Sequence, residues 1–133
     1  MTAEDVRHIT VTIDRPQQDV YAFASRPENV PRWARGLATS IQNVNGEWIG
    51  QSPLGRVKVR FAPPNAYGVL DHDVTLESGE TVRVPMRVIA RDSGRSEVVF
   101  TLFRLPGVSD ARFEADASAV QRDLLALRDI LEH

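Results

Sequence analysis

The tripeptide Asp71-His72-Asp73 is the group whose residue types could most readily do chemistry together. A histidine flanked by two carboxylates could hold a metal ion or act as a general base. The surrounding residues alternate as in a β-strand, however, and adjacent side chains of a strand point to opposite faces. His72 therefore cannot share a site with either aspartate unless a bulge intervenes. His8, on a polar strand face, and His133, at the end of the chain, do not complete a ligand set, so we predict no metal site.

His72 shares its predicted strand face with Leu70, Val74 and Leu76. A single histidine on an apolar face is either a core residue with satisfied hydrogen bonds or a polar group that lines a pocket. In the second case its burial would tune it as an acid or base. His72 is the one catalytic candidate that the sequence offers.

Other signatures of catalysis or cofactor binding do not occur in the sequence. It contains no cysteine, no Gly-rich phosphate loop and no Gly-x-Ser-x-Gly elbow, so we predict no thiol nucleophile and no cofactor. The net charge is −2 and the basic residues are scattered, which argues against nucleic acid as a partner. No apolar run approaches the ~18 residues of a membrane span. The polar start of the chain is unlike a signal peptide, so we expect a cytoplasmic protein.

The elements that must position these residues follow from periodicity and turn signals. Residues 8–13 alternate as a strand, and two short helices follow, opened by Pro16 and Pro27. Turn residues then separate six candidate strands: 38–44, 47–52, 56–62, 67–77, 80–91 and 96–104. After Ser109, an apolar stripe indicates a helix of about 22 residues. We therefore predict one α+β domain over residues 1–133, in which a seven-stranded curved antiparallel sheet wraps around the long C-terminal helix and leaves a cavity between them.

Strand periodicity also predicts which side chains face that cavity. In strand 80–91, we expect Val82, Val84, Met86, Val88 and Ala90 to face the helix, and Arg83, Pro85, Arg87 and Arg91 to face water. Strand 96–104 is apolar on both faces, with Val99 and Phe103 on the outer one. That outer face is either a locally apolar surface or a contact in a homodimer.

Aromatic and aliphatic residues on the inner faces are the candidates for binding a ligand. Trp33 and Trp48 are either core residues or the aromatic wall of a site for an apolar or ring-bearing molecule. Tyr67 and Arg60 are weaker candidates for polar anchors, because their strand phase points them outward. The full predicted lining is Trp33, Trp48, Val59, Phe61, Leu70, His72, Val84, Met86, Phe100, Leu102, Phe113, Ala117 and Val120.

The segment Thr-Ile-Asp-Arg-Pro-Gln-Gln-Asp-Val-Tyr-Ala-Phe-Ala-Ser-Arg-Pro-Glu-Asn-Val-Pro-Arg-Trp, residues 12–33, resembles the opening of the START-like superfamily. More narrowly, it is similar to bacterial SRPBCC proteins of the polyketide cyclase/dehydrase-like type. Residues 85–88 and 97–104, with Pro106-Gly107 and Ser109-Asp110, resemble the back half of one small bacterial subgroup. The resemblance implies a helix-grip fold with an internal hydrophobic cavity. It transfers no catalytic residue, because no position here matches a catalytic motif of the superfamily.

Three functions are compatible with this sequence. The first is binding of a small hydrophobic or aromatic ligand, lipid- or polyketide-like, in the internal cavity. The second is an enzyme of the polyketide cyclase/dehydrase-like type, with His72 as its acid or base. The third is a protein-interaction module of the co-chaperone type, which the apolar outer face of strand 96–104 would favour. Fold alone does not choose among them.

Overall fold

A computed structural model describes residues 6–53 and 55–133 of the chain, so Leu54, in the predicted turn 53–55, lies outside the described residues. The strands are β1 (Val6–Ile13), β2 (Ser40–Val44), β3 (Glu47–Ser52), β4 (Gly55–Phe61), β5 (His72–Leu76), β6 (Thr81–Val84), β7 (Met86–Ala90) and β8 (Ser96–Phe103). The helices are α1 (Gln17–Ala24), α2 (Val30–Trp33), which a 3₁₀ turn at Pro27–Asn29 precedes, and α3 (Asp110–Glu132). The predicted α+β helix-grip architecture is confirmed.

The strands pair in two antiparallel sheets rather than one. The first has the order β1-β8-β7, and the second has the order β2-β3-β4-β5-β6. The predicted strand 80–91 is divided at Pro85, which makes eight strands within the described residues instead of the predicted seven. Proline has no N–H to donate to a ladder, which favours a break at that point.

A side-chain carboxylate bridges this break. Asp71 accepts a hydrogen bond from the Met86 N–H at 2.9 Å and binds the guanidinium of Arg87 at 2.9 Å. The hydrogen bond from Arg87 holds the pKa of Asp71 below its usual range. Asp73 binds Arg83 at 2.7 Å. Both aspartates thus lie on the outer face, opposite to His72, as strand alternation predicts.

Helix α3 packs against the sheets through a buried apolar stripe. Ser109 caps the helix by accepting a hydrogen bond from the Arg112 N–H at 3.1 Å, as the sequence predicts. Phe113, Ala117, Leu124 and Leu127 are buried on one stripe of the helix. Ala117, Leu124 and Leu127 belong to one hydrophobic cluster that includes residues of both sheets. No helix among the described residues is long and apolar enough to cross a membrane.

The predicted facing of strand 80–91 largely holds. Val84, Met86 and Val88 are buried, whereas Ala90, at the end of β7, is exposed. On the outer face, Phe103 is 43% exposed and Ile89 is 51% exposed. The homodimer contact proposed for this face stays a prediction.

Gly68 lets the chain before β5 approach β7 closely. Its φ is +78°, and a Cβ at this position would lie 2.2 Å from the carbonyl oxygen of Val88. The Gly68 carbonyl also accepts a hydrogen bond from the Val88 N–H at 2.8 Å. Only glycine combines this φ with this close contact.

Candidate ligand cavity

A partly open cavity of about 190 Å³ lies where α2, the loop after it, α3 and both sheets meet. Its walls are mostly apolar, and its polar side chains are few. It is lined by Trp33, Ala34, Gly36, Leu37, Phe61, His72, Val74, Val84, Phe100, Asp116, Ala119, Val120, Asp123 and Leu124. We call this space the inner cavity. Apolar walls with a few polar groups are typical of small-molecule sites.

Trp33 provides a buried hydrogen-bond donor at the inner cavity. The short helix α2 is anchored by Val30, which is fully buried, and the Ala34 N–H closes the turn on the Val30 carbonyl at 2.7 Å. Trp33 is only 4% exposed, and its Nε1 has no hydrogen-bond partner among residues 6–53 and 55–133. A buried donor without a partner costs about 1–3 kcal/mol. An acceptor atom on a bound molecule would remove that cost.

His72 provides an acceptor in the same cavity. Its Nδ1 lies 3.0 Å from the Leu70 carbonyl oxygen, and because a carbonyl only accepts, Nδ1 carries the proton. Burial lowers the pKa of His72, so the imidazole is neutral and its Nε2 keeps a free lone pair. The ring is held between Phe61 and Phe100, with centroid distances of 5.0 and 6.3 Å.

Two carboxylates of α3 complete the polar lining. Asp123 accepts a hydrogen bond from the Gly36 N–H at 3.3 Å, and burial raises the pKa of Asp123 to about 6. Asp116 lies two turns earlier and binds Arg112 at 3.0 Å. The sequence analysis did not identify either aspartate as a site residue. Their spacing of seven and their positions next to Ala117 and Leu124 are the signal that could have found them.

Apart from Phe113, the predicted lining residues fall into three groups. Those that line the inner cavity are Trp33, Phe61, His72, Val84, Phe100 and Val120. Those that pack into or against the hydrophobic core instead are Leu70, Met86, Leu102 and Ala117. Trp48 and Val59 border a second concavity.

Phe113 lies away from the inner cavity. It is buried, and the guanidinium groups of Arg7 and Arg104 lie 5.4 and 5.7 Å from its ring centroid. Phe113 therefore anchors the first turn of α3 through cation–π contacts. Tyr67 is 80% exposed, in agreement with the weak case for it as an anchor.

The second concavity is an open groove of about 740 Å³. Its lining is more polar than that of the inner cavity and comes from α1, the β2–β3 turn and β4 to β6. It consists of Tyr21, Ser25, Pro27, Gly46, Glu47, Trp48, Lys58, Val59, Arg60, Phe61, Ala62, Pro63, Pro64, Asp73, Thr75 and Thr81. We call it the side groove.

Within the described residues, no group of three His, Cys, Asp or Glu side chains is arranged to hold a metal ion. The chemistry available in the inner cavity is thus that of an indole N–H, a neutral imidazole and two carboxyl groups around an apolar space. Such a set can hold a ring-bearing molecule through one donor and one acceptor. It can also move a proton.

No family model matches the chain, and no curated protein matches it in sequence. Solved structures do match. An uncharacterised protein from Bacillus thuringiensis superposes with a TM-score of 0.76 at 15% identity, over 96% of this chain and 99% of that one. A START superfamily protein from Mycobacterium smegmatis gives 0.69 at 11% identity, over 96% and 97% of the two chains. The Zhui aromatase/cyclase from a Streptomyces species gives 0.70 at 17% identity, over 96% and 94%. The chain therefore has the START-like, helix-grip fold of these proteins.

Proposed function

We propose that this protein binds a small apolar, ring-containing ligand in the inner cavity. The observation that carries the proposal is the buried, unpartnered Nε1 of Trp33, a residue that lines that cavity. Native proteins rarely leave a buried donor unsatisfied unless it has a function or an absent partner. A ligand oxygen at this point would accept from Trp33, and a ligand hydroxyl could donate to Nε2 of His72.

The size of the inner cavity limits the ligand. An engineered apolar cavity of about 150 Å³ binds benzene, and the inner cavity is about 190 Å³. One ring with a short substituent matches this space. A phenol matches both the space and the polar groups, because its hydroxyl is donor and acceptor at once.

The test uses the fluorescence of Trp33 to follow binding. A Trp48→Phe variant leaves Trp33 as the single tryptophan, and it is titrated with 4-ethylphenol. We expect saturable quenching that an added Ala119→Phe substitution abolishes, because the new ring fills the inner cavity. Ala115→Phe places the same ring one turn earlier on α3 at an exposed position and serves as the control. Absence of saturable binding, together with an apo mass in native mass spectrometry, would reject the proposal.

A second candidate function is proton transfer on a bound carbonyl compound. It is favoured by the neutral His72 and the Trp33 N–H, which line one cavity. In the proposed step, Nε2 of His72 takes a proton from the carbon next to the carbonyl. The C–H electron pair forms a C=C bond, and the carbonyl oxygen becomes an enolate oxygen that accepts from Trp33.

Phenylacetone, which has one ring and one ketone, tests this step. We expect the wild type in D₂O to accelerate exchange of its α-protons, followed by NMR, and the His72→Gln variant to lose most of the acceleration. If phenylacetone binds but exchanges no faster than in buffer, the catalytic candidate fails and the binding function stands.

A further inference from the structure

One side chain borders both the inner cavity and the side groove. Among their described lining residues, Phe61 alone belongs to both. One face of its ring is 5.0 Å, centroid to centroid, from the imidazole of His72. Phe61 therefore borders a small apolar space and a larger, more polar one.

The backbone at Phe61 is fixed independently of the side chain. Phe61 is the last residue of β4 and pairs with His72 in the antiparallel ladder. The next residue, Ala62, donates its N–H to the Asp71 carbonyl at 2.8 Å, and two prolines follow. Because these contacts hold the main chain, removal of the ring should join the two spaces without displacing the strand.

We propose that Phe61 sets the upper limit on ligand length by closing the inner cavity toward the side groove. The inference rests on the proposed binding function and adds a ligand class to it. With Phe61 in place, the site accepts a ring with a short substituent. Without the ring, it accepts a ring with a long tail that passes into the side groove. The side-groove residues on the face of the sheet that carries the Phe61 ring include Trp48, with Tyr21 and Ser25 of the adjoining α1 segment, and their hydroxyl and indole groups suit a tail with a polar end.

A series of 4-alkylphenols measures this limit, because the head is constant and only the tail grows. Each buried methylene raises affinity about fourfold. In the wild type, we expect the affinity measured by calorimetry to rise over about two to four carbons and then to level off, since the inner cavity is then filled. In Phe61→Ala, the rise should continue, so that the ratio of octyl to ethyl affinity increases at least tenfold over the wild-type ratio. Phe61→Leu is a milder variant should the alanine variant fold poorly.

Phe100→Ala is the matched control. Phe100 also packs beside His72, at 6.3 Å between centroids, and lines the inner cavity, but it does not border the side groove. Its removal enlarges the inner cavity without joining the two spaces.

Trp48 reports directly where the tail lies, because it lines the side groove and not the inner cavity. In a Trp33→Phe background it is the single tryptophan. Because this background lacks the Trp33 donor, the variants are compared at ligand concentrations that saturate each of them in calorimetry. A 4-alkylphenol with bromine at the end of an eight-carbon tail should quench Trp48 when Phe61→Ala is added, and should not when Phe100→Ala is added. Equal length dependence in the two variants, or quenching while Phe61 is intact, would overturn the inference. If 4-ethylphenol binds none of the variants, the binding function itself fails, which is a separate result.

Discussion

Replacement of Asp123 by asparagine should stabilise the protein at neutral pH. Burial raises the pKa of this carboxyl from its ordinary 3.8 to about 6. For a group fully shielded from water, this shift means that the ionised carboxylate destabilises the native state by about 3 kcal/mol. Asp123 is only half-buried, so screening by water reduces the expected gain to about 1 kcal/mol. Asparagine keeps an oxygen that can accept from the Gly36 N–H, so the 3.3 Å contact need not be lost.

The pH dependence gives the sign of this effect. Below about pH 4, the Asp123 carboxyl is protonated in both the folded and the unfolded protein. Between about pH 4 and 6, it ionises only in the unfolded protein. The native state therefore loses stability as the pH rises through this range. Urea unfolding of wild type and Asp123→Asn should therefore agree near pH 4 and differ by about 1 kcal/mol at pH 7. Asp129→Asn, at an exposed position of the same helix, should change little at either pH. If Asp123→Asn destabilises the protein at pH 7, or if its effect is the same at both pH values, the assignment of a raised pKa is refuted.

Three further outcomes are expected. Burial lowers the pKa of His72, so the native state resists protonation of this imidazole. The free energy of unfolding of the wild type should therefore fall from pH 7 to pH 5 more steeply than that of His72→Gln. Equal slopes in urea unfolding would contradict this. Gly68→Ala should lower the melting temperature clearly more than Gly46→Ala, since both have positive φ but only Gly68 lacks space for a Cβ. Leu124→Asp should leave the protein largely unfolded in circular dichroism, because it buries an unpaired charge. Arg83→Ala should lower the free energy of unfolding by less than about 1 kcal/mol, because it removes only an exposed ion pair. Comparable losses of stability in the two variants would mean that the facing assignment is wrong.

Periodicity predicted the parts of this fold that depend on local sequence. The period of two placed His72 and its flanking aspartates on opposite faces correctly, because pleating alone decides that. Alternation also runs through Pro85, and the break there was missed because the cue is a missing N–H, not a change of pattern. The helical stripe identified the buried face of α3 but not which residue along it meets the inner cavity, and Phe113, predicted to line the cavity, packs beside Arg7 and Arg104 instead. The environment of Asp123 depends on the approach of Gly36, a tertiary contact that no spacing encodes.

The pairing of β1 with β8 has a consequence for synthesis of the chain. Val6 pairs with Phe103, so most of the described sequence separates the two strands of this ladder. In the second sheet, in contrast, every pair of neighbouring strands from β2 to β6 is also consecutive along the chain. Local pairings form faster because less chain entropy is lost in closing them. On the ribosome, the five-stranded sheet can thus form first, while β1 waits with an unpaired edge until residues 96–103 emerge. An unpaired strand edge is open to pairing with other chains, and the period of greatest exposure to aggregation is therefore the synthesis of the middle of this protein.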